Sequence, residues 1–111
     1  MKVSVIIPTY NEEGVIRTCL DSLSKQTFKD LEVIVVDDGS TDGTLKSISN
    51  FQFPISNFQL LTQKHAGPGS ARNFGVKESS GEILVFVDTD MVFKEDFIEK
   101  FYMARDSDTF T

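Results

Sequence analysis

Residues 33–40, Val33-Ile34-Val35-Val36-Asp37-Asp38-Gly39-Ser40, set four consecutive β-branched residues against two carboxylates and a glycine. An apolar run without polar alternation reads as a strand covered on both faces, the usual state of a strand in a parallel sheet. Asp, Gly and Ser directly behind it supply the chemistry of a turn. A buried parallel strand that ends in acids therefore anchors the reading, and Glu32 marks its start.

The same pattern recurs on both sides of this stretch. Residues 3–7 form a first strand, closed by Pro8, residues 58–62 a third, and residues 83–87 a fourth, the clearest of all. Between the first two, Ile16, Cys19, Leu20 and Leu23 follow helical spacing and predict a helix over residues 12–26. Asn11 is the expected N-cap, with Glu12 and Glu13 where the helix dipole favours negative charge. Thr41 or Asp42 is expected to cap a short helix through Leu45 and Ile48. A helix over residues 68–78 starts on Pro68, which suits a first turn, and stops at Ser79-Ser80-Gly81. A last one over residues 94–103 carries Phe97, Ile98 and Phe101 on one face. Phe51, Phe53 and Ile55 alternate, but Pro54 argues against a central strand, so residues 50–57 read as a loop. The polar tail, residues 105–111, is expected to fray.

Strands alternating with helices imply βαβ crossovers. The expected fold class is α/β: a Rossmann-like, mainly parallel sheet of about four strands flanked by helices, forming one domain over residues 1–111. The composition agrees, at 111 residues, 40% hydrophobic and 25% charged. A formal net charge of −6 argues against general nucleic-acid binding, yet permits a phosphorylated ligand held by a cation or by backbone N–H groups. The single cysteine, Cys19, rules out an internal disulfide and reads as a buried, inert thiol. A Met-Lys start running into a strand does not resemble a signal peptide, and no apolar stretch approaches bilayer length. The default expectation is a cytoplasmic protein, membrane-associated only through residues outside this chain.

In a parallel sheet all strand C-termini share one edge, and open α/β sheets bind ligands there. That edge gathers Pro8-Thr9-Tyr10-Asn11-Glu12, the Asp37-Asp38 turn, residues 64–73 and Asp88-Thr89-Asp90. In an extended strand Asp88 and Asp90 project to one side and can share a cation, for which carboxylate oxygens suit Mg²⁺ or Mn²⁺. One of Asp37 and Asp38 is expected to serve the turn, leaving the other to accept from a ring N–H or a ribose hydroxyl. Thr9 and Tyr10 suit a base. Gly67-Pro68-Gly69 opens a helix N-terminus, a ready anion site, with Arg72 better placed for a phosphate or base than for a salt bridge. His65, a lone loop histidine, reads as structural or solvent-exposed rather than catalytic.

Together these segments resemble glycosyltransferase family 2, which has the GT-A fold. The resemblance rests on Val5-Ile6-Ile7-Pro8-Thr9-Tyr10-Asn11-Glu12, Val35-Val36-Asp37-Asp38-Gly39-Ser40-Thr41-Asp42, Gly67-Pro68-Gly69-Ser70-Ala71-Arg72-Asn73 and Phe86-Val87-Asp88-Thr89-Asp90. It implies a nucleotide-diphosphate sugar donor, most often UDP-linked, and an inverting, metal-dependent transfer to an acceptor hydroxyl. By carry-over, Pro8, Thr9, Tyr10 and Glu12 with Asp38 would hold the base and ribose. Arg72 would lie near the nucleotide and Asp88 towards the ribose, with Asp37 and Thr89 completing the substrate-binding set. Asp90, with Asp88, would coordinate the divalent Mn²⁺ or Mg²⁺ that bridges the diphosphate. Family members draw the catalytic base from a later segment. Nothing past Asp90 resembles it, because Glu95, Asp96, Glu99, Asp106 and Asp108 fall on or after a surface helix. The chain is thus expected to be the donor-binding part, with the acceptor-binding half and the base outside it. The acceptor stays open among saccharide, lipid and protein hydroxyls.

A nucleotide-binding or regulatory module without turnover is the alternative. A phosphoacceptor receiver domain fails, because it needs its acidic pair after the first strand, where this chain has Pro8-Thr9-Tyr10. A P-loop nucleotidase fails for want of G-x-x-x-x-G-K-[ST].

Overall fold

A computed structural model describes residues 2–51 and 57–104. The elements run β1 (Val3–Thr9), α1 (Ile16–Ser24), β2 (Leu31–Asp37), α2 (Thr44–Asn50), β3 (Phe58–Thr62), α3 (Pro68–Glu78), β4 (Ile83–Phe86) and α4 (Phe97–Ala104). The strands form one sheet in the order β3-β2-β1-β4, and every pairing is parallel. Thr9 lies opposite Asp37, and Asp37 opposite Thr62. The α/β expectation therefore holds.

The order fixes which face each helix covers. The steps β1→β2 and β2→β3 move one way across the sheet, and β3→β4 moves back. Right-handed crossovers then set α1 and α2 on one face and α3 on the other. Strand periodicity divides the core accordingly. Val5, Ile7, Val33 and Val35 pack with Ile16, Leu20, Leu23 and Ile48, and Ile98 of α4 joins them. Ile34 and Val36 face the other way, against Ala71 of α3. Residues 31–37 are buried throughout, as the unbroken apolar run predicted.

Helix α3 lies very close to the sheet because Gly75 has no side chain. A Cβ there would sit 2.6 Å from Ile6 Cγ2. Near the start of β2, Glu32 is buried but satisfied. It accepts from Ser4 Oγ at 2.6 Å and from the Ser80 N–H at 2.9 Å. Burial pushes its carboxyl up, but the bonds from Ser4 and Ser80 outweigh this and hold it below the usual range.

Several boundaries differ from expectation. Asn11 does not cap α1. Its φ is 51°, and its carboxamide oxygen accepts the Thr41 N–H at 2.8 Å, tying the loop after β1 to the loop after β2. A turn on the Glu12 carbonyl intervenes, and α1 begins only at Ile16. It ends at Ser24, and buried Gln26 instead braces α4, accepting the Ile98 N–H at 2.9 Å and donating to the Lys94 carbonyl at 2.7 Å. The N-cap of α2 is Gly43 rather than Thr41 or Asp42, and Asp42, one residue earlier, accepts the Thr44 N–H at 2.9 Å. Strand β4 stops at Phe86, and α4 starts at Phe97 rather than Lys94. The alternation of Phe53 and Ile55 about Pro54 lies outside the described residues, as does the tail over residues 105–111.

Candidate functional site

The sheet order places a switch point between β1 and β4: the chain leaves β1 towards β2, and β4 lies on the opposite side. Connections that diverge in this way open a crevice at the strand C-termini. A cavity of about 430 Å³ occupies it. Pro8, Thr9, Tyr10 and Glu12 form the wall after β1, and Asp38 comes from the turn after β2. His65, Pro68 and Arg72 reach in from the β3–α3 connection, and Asp88, Thr89 and Asp90 from the loop after β4. Of the ten residues expected to bind donor or metal, only Asp37 lies outside this lining.

Of Asp37 and Asp38, one serves the turn as expected, but the other is not left free for a ligand. Both are 2% exposed. Asp37 Oδ1 accepts from Ser40 Oγ at 2.7 Å and Oδ2 from the Ser40 N–H at 3.1 Å, so its carboxylate serves the turn. Asp38 reaches the cavity, but its oxygens are also engaged. Oδ1 accepts from Gln63 Nε2 and the Ala66 N–H, each at 2.8 Å, and Oδ2 from the Gly67 N–H at 3.0 Å. His65 Nδ1 stands 3.0 Å from Oδ2 as well. Burial pushes the Asp38 carboxyl up, yet the bonds from Gln63, Ala66 and Gly67, with His65 alongside, hold it below the ordinary carboxylate range. The anion expected near Gly67 thus meets competition, since the protein's own carboxylate already takes the Ala66 and Gly67 N–H groups.

Other cavity groups are left uncommitted. Thr9 Oγ1 is buried without a hydrogen-bond partner among the described residues. Such an orphan costs about 1–3 kcal/mol unless something completes it, which makes it a pointer to a ligand. Arg72, one turn into α3, makes no ion pair or hydrogen bond with another described residue. Asp88 and Asp90 are exposed, and neither carboxylate is bonded to a described residue. They do not ride on an extended strand. The Met91 N–H donates to the Asp88 carbonyl at 3.1 Å, folding residues 88–91 into a turn that still turns both acids to the cavity. Among the described residues no three His, Cys, Asp or Glu side chains cluster to hold a metal. Two carboxylates alone fit a cation only if a ligand's oxygens complete its shell, the usual arrangement for Mg²⁺ at phosphates.

Two lining residues, Pro68 and His65, lie in the rim segment over residues 64–73 but carried no ligand role of their own in the sequence. His65 stacks on Tyr10 with ring centroids 4.1 Å apart, and nothing in the local sequence signals that contact. Behind the cavity, Cys19 is buried with its thiol pushed up to about 12, by burial first and then by the charge of Asp90. It is inert, as expected.

A parallel sheet with this crevice, and acids at three of its strand ends, defines an open α/β class whose ligand edge is the strand C-termini. Comparison with known proteins goes further: the family model for glycosyl transferase family 2 matches residues 4–110, and the chain belongs to that family. Glycosyltransferase GlyA of Streptococcus pneumoniae is 40% identical over 101 residues, covering 91% of this chain and 14% of GlyA. TarS of S. aureus in complex with UDP-GlcNAc superposes with a TM-score of 0.86 at 38% identity, covering 96% of this chain and 31% of that one. The mannosyltransferase PcManGT of Pyrobaculum calidifontis, in complex with GDP-Man and Mn²⁺, gives 0.72 at 34% identity, covering 83% and 28%. The chain thus spans under a third of the length of these relatives. No described helix is long and apolar enough to cross a membrane.

Proposed function

We propose that this chain is the donor-binding part of a glycosyltransferase that moves a sugar from a nucleotide-diphosphate sugar, UDP-linked, to an acceptor hydroxyl with inversion. One observation carries the reading: Thr9, Asp38, Arg72 and Asp90, far apart in sequence, line a single cavity at the switch point of the sheet. TarS with UDP-GlcNAc supports a uridine donor.

In this reading the base and ribose lie against Pro8, Thr9, Tyr10 and Glu12, near the Asp38 turn, with Asp88 and Thr89 beside the ribose. Arg72 faces the nucleotide, its guanidinium unpaired among the described residues. Asp90 and Asp88 hold the divalent cation, Mn²⁺ or Mg²⁺, together with diphosphate oxygens. When bound, that ion supplies electrostatic stabilisation of the departing diphosphate. The chain's own contribution is to orient the donor and to present the two carboxylates at its diphosphate.

The base that deprotonates the acceptor lies outside this chain. Asp96 pairs with Lys100 at 3.3 Å and Glu99 accepts from Thr27 Oγ1 at 2.9 Å, and neither lines the cavity. Asp106 and Asp108 lie outside the described residues. Calorimetry with UDP, GDP and their sugars, with and without Mn²⁺, tests the donor site. Metal-dependent UDP binding without sugar transfer is the expected result. Absence of any nucleotide binding sinks the proposal, and transfer to an added acceptor sinks the assignment of the base elsewhere.

A further inference from the structure

Residues 10–12 bring Tyr10 and Glu12 to the cavity on a stretch that belongs to no helix or strand. Between the two, Asn11 turns the chain through a φ of 51°, which a non-glycine residue keeps only when its surroundings hold it there. The holding groups come from the segment after β2. The Asn11 N–H donates to Ser40 Oγ at 2.9 Å, and the Glu12 N–H to Thr44 Oγ1 at 2.8 Å. Each hydroxyl has a single proton and gives it to a carboxylate: Ser40 Oγ donates to Asp37 Oδ1 at 2.7 Å, and Thr44 Oγ1 donates to Asp42 Oδ1. A carboxylate can only accept, so both bonds have a fixed direction and each hydroxyl oxygen turns its lone pairs to an N–H of residues 11 and 12. The Thr44 hydroxyl foremost, with the Thr44 and Glu13 N–H groups, holds the Asp42 carboxyl below its ordinary range. Two relays of one design result, Asp37–Ser40–Asn11 and Asp42–Thr44–Glu12.

We propose that Ser40 and Thr44 are positioning residues for the donor: their hydroxyls, aimed by Asp37 and Asp42, set the backbone of residues 10–12 and so keep Tyr10 and Glu12 in place at the cavity. None of Asp37, Ser40, Asp42 and Thr44 lines the cavity itself. Asp37, which the sequence marks for the ligand, serves it at one remove. With a relay cut, residues 10–12 sample further conformations, and the affinity falls in proportion to the molecules that leave the binding one.

The two loops are also tied in the opposite sense. Asn11 Oδ1 accepts the Thr41 N–H at 2.8 Å, and Glu13 Oε1 accepts the Gly43 N–H at 3.1 Å. The loops therefore stay joined when one hydroxyl is removed, and what is lost is the setting of the backbone N–H groups of residues 11 and 12. Ser40 is half-buried and Thr44 is buried.

This inference rests on the donor-site reading, and the test separates the two. UDP affinity is measured by calorimetry, and Tm by circular dichroism, for the wild type, Ser40→Ala, Thr44→Val and Thr44→Ser. Titrations are run well below the lowest Tm, so that a change in affinity is not a change in the folded fraction. Ser40→Ala and Thr44→Val are each expected to weaken UDP by about threefold to tenfold, the size of one lost hydrogen bond. Thr44→Ser keeps the hydroxyl and is expected to bind within about twofold of the wild type. If Thr44→Val does not fold, Ser40→Ala at its half-buried position decides the matter. Bonds that serve stability alone lower Tm and leave the affinity unchanged, so wild-type UDP binding by the variants without the hydroxyl overturns the proposal. Thr44→Ser binding as weakly as Thr44→Val overturns the role of Thr44. No UDP binding by the wild type overturns the donor site as well. Amide hydrogen exchange of the wild type gives a readout independent of any variant: the Asn11 and Glu12 N–H groups are expected to be protected, although they lie outside helix and strand, and free exchange at both overturns the relays.

Discussion

The Asp38 carboxylate accepts the Ala66 N–H at 2.8 Å, so the turn after β2 holds the start of the loop that leads into α3. Two walls of the cavity are joined by this bond. Because bonding outweighs burial, the carboxyl is held below its ordinary value. A carboxyl depressed on folding adds stability above its unfolded pKa, near 4, and that contribution is lost as pH falls through the folded value. Asp38→Asn is expected to lower stability at neutral pH by about 1–3 kcal/mol. It should also flatten the fall in Tm between about pH 5 and pH 2, measured by circular dichroism. Glu32 and Asp42, also held low, keep some acid sensitivity in the variant. An acid limb identical to the wild type's would contradict the assignment.

Asn11 combines a φ of 51° with a bond to the Thr41 N–H. Asn11→Ala loses the bond and puts a less tolerant residue in the left-handed region, an expected loss of about 1–2 kcal/mol in urea denaturation. Asn11→Gly loses only the bond and should fall between Ala and the wild type. Equal losses for the two variants would remove backbone strain from the explanation.

Gly75 and Gly69 both lie in α3, and their environments differ. Gly69 has open space where a Cβ would be, whereas at Gly75 the Cβ meets Ile6 at 2.6 Å. Gly69→Ala is expected to stabilise by about 0.5–1 kcal/mol through helix propensity. Gly75→Leu should destabilise by about 1–3 kcal/mol or more, as α3 is forced off the sheet. Thermal melts of the two variants decide the matter, and a neutral Gly75→Leu would refute the close approach.

Asp90 is exposed and not bonded to any described residue, so Asp90→Ala should leave stability within about 0.5 kcal/mol of the wild type. Under the proposed function it also removes the Mn²⁺-dependent part of UDP affinity. Titration of UDP with and without Mn²⁺ checks this, and unchanged metal dependence would reject Asp90 as a ligand.

Much of this was legible in the residues alone. All four strands were recognised because an uninterrupted β-branched run such as residues 33–36 is a local signal. The gathering of polar ends at one rim followed from parallel topology, which is why all eleven cavity residues lie in segments that the sequence singles out. Element ends were less legible. Asn11 looked like a cap because its type suits one, yet it serves a chain segment 30 residues away. Asp88 and Asp90 were expected on a strand, and a turn carries them instead.

By itself, the order of residues determined the periodicities, and with them the strands, the helices, the parallel sheet and its acidic edge. Those properties depend only on neighbours along the chain. Tertiary structure alone decided which carboxylate reaches the cavity. Asp37 and Asp38 are adjacent and chemically identical, and only the arrival of Gln63, Ala66, Gly67 and His65 sets one apart from the other. It also decided that His65 lies on Tyr10. Contacts of that kind form between surfaces brought together by burial elsewhere, so no short stretch of sequence contains them.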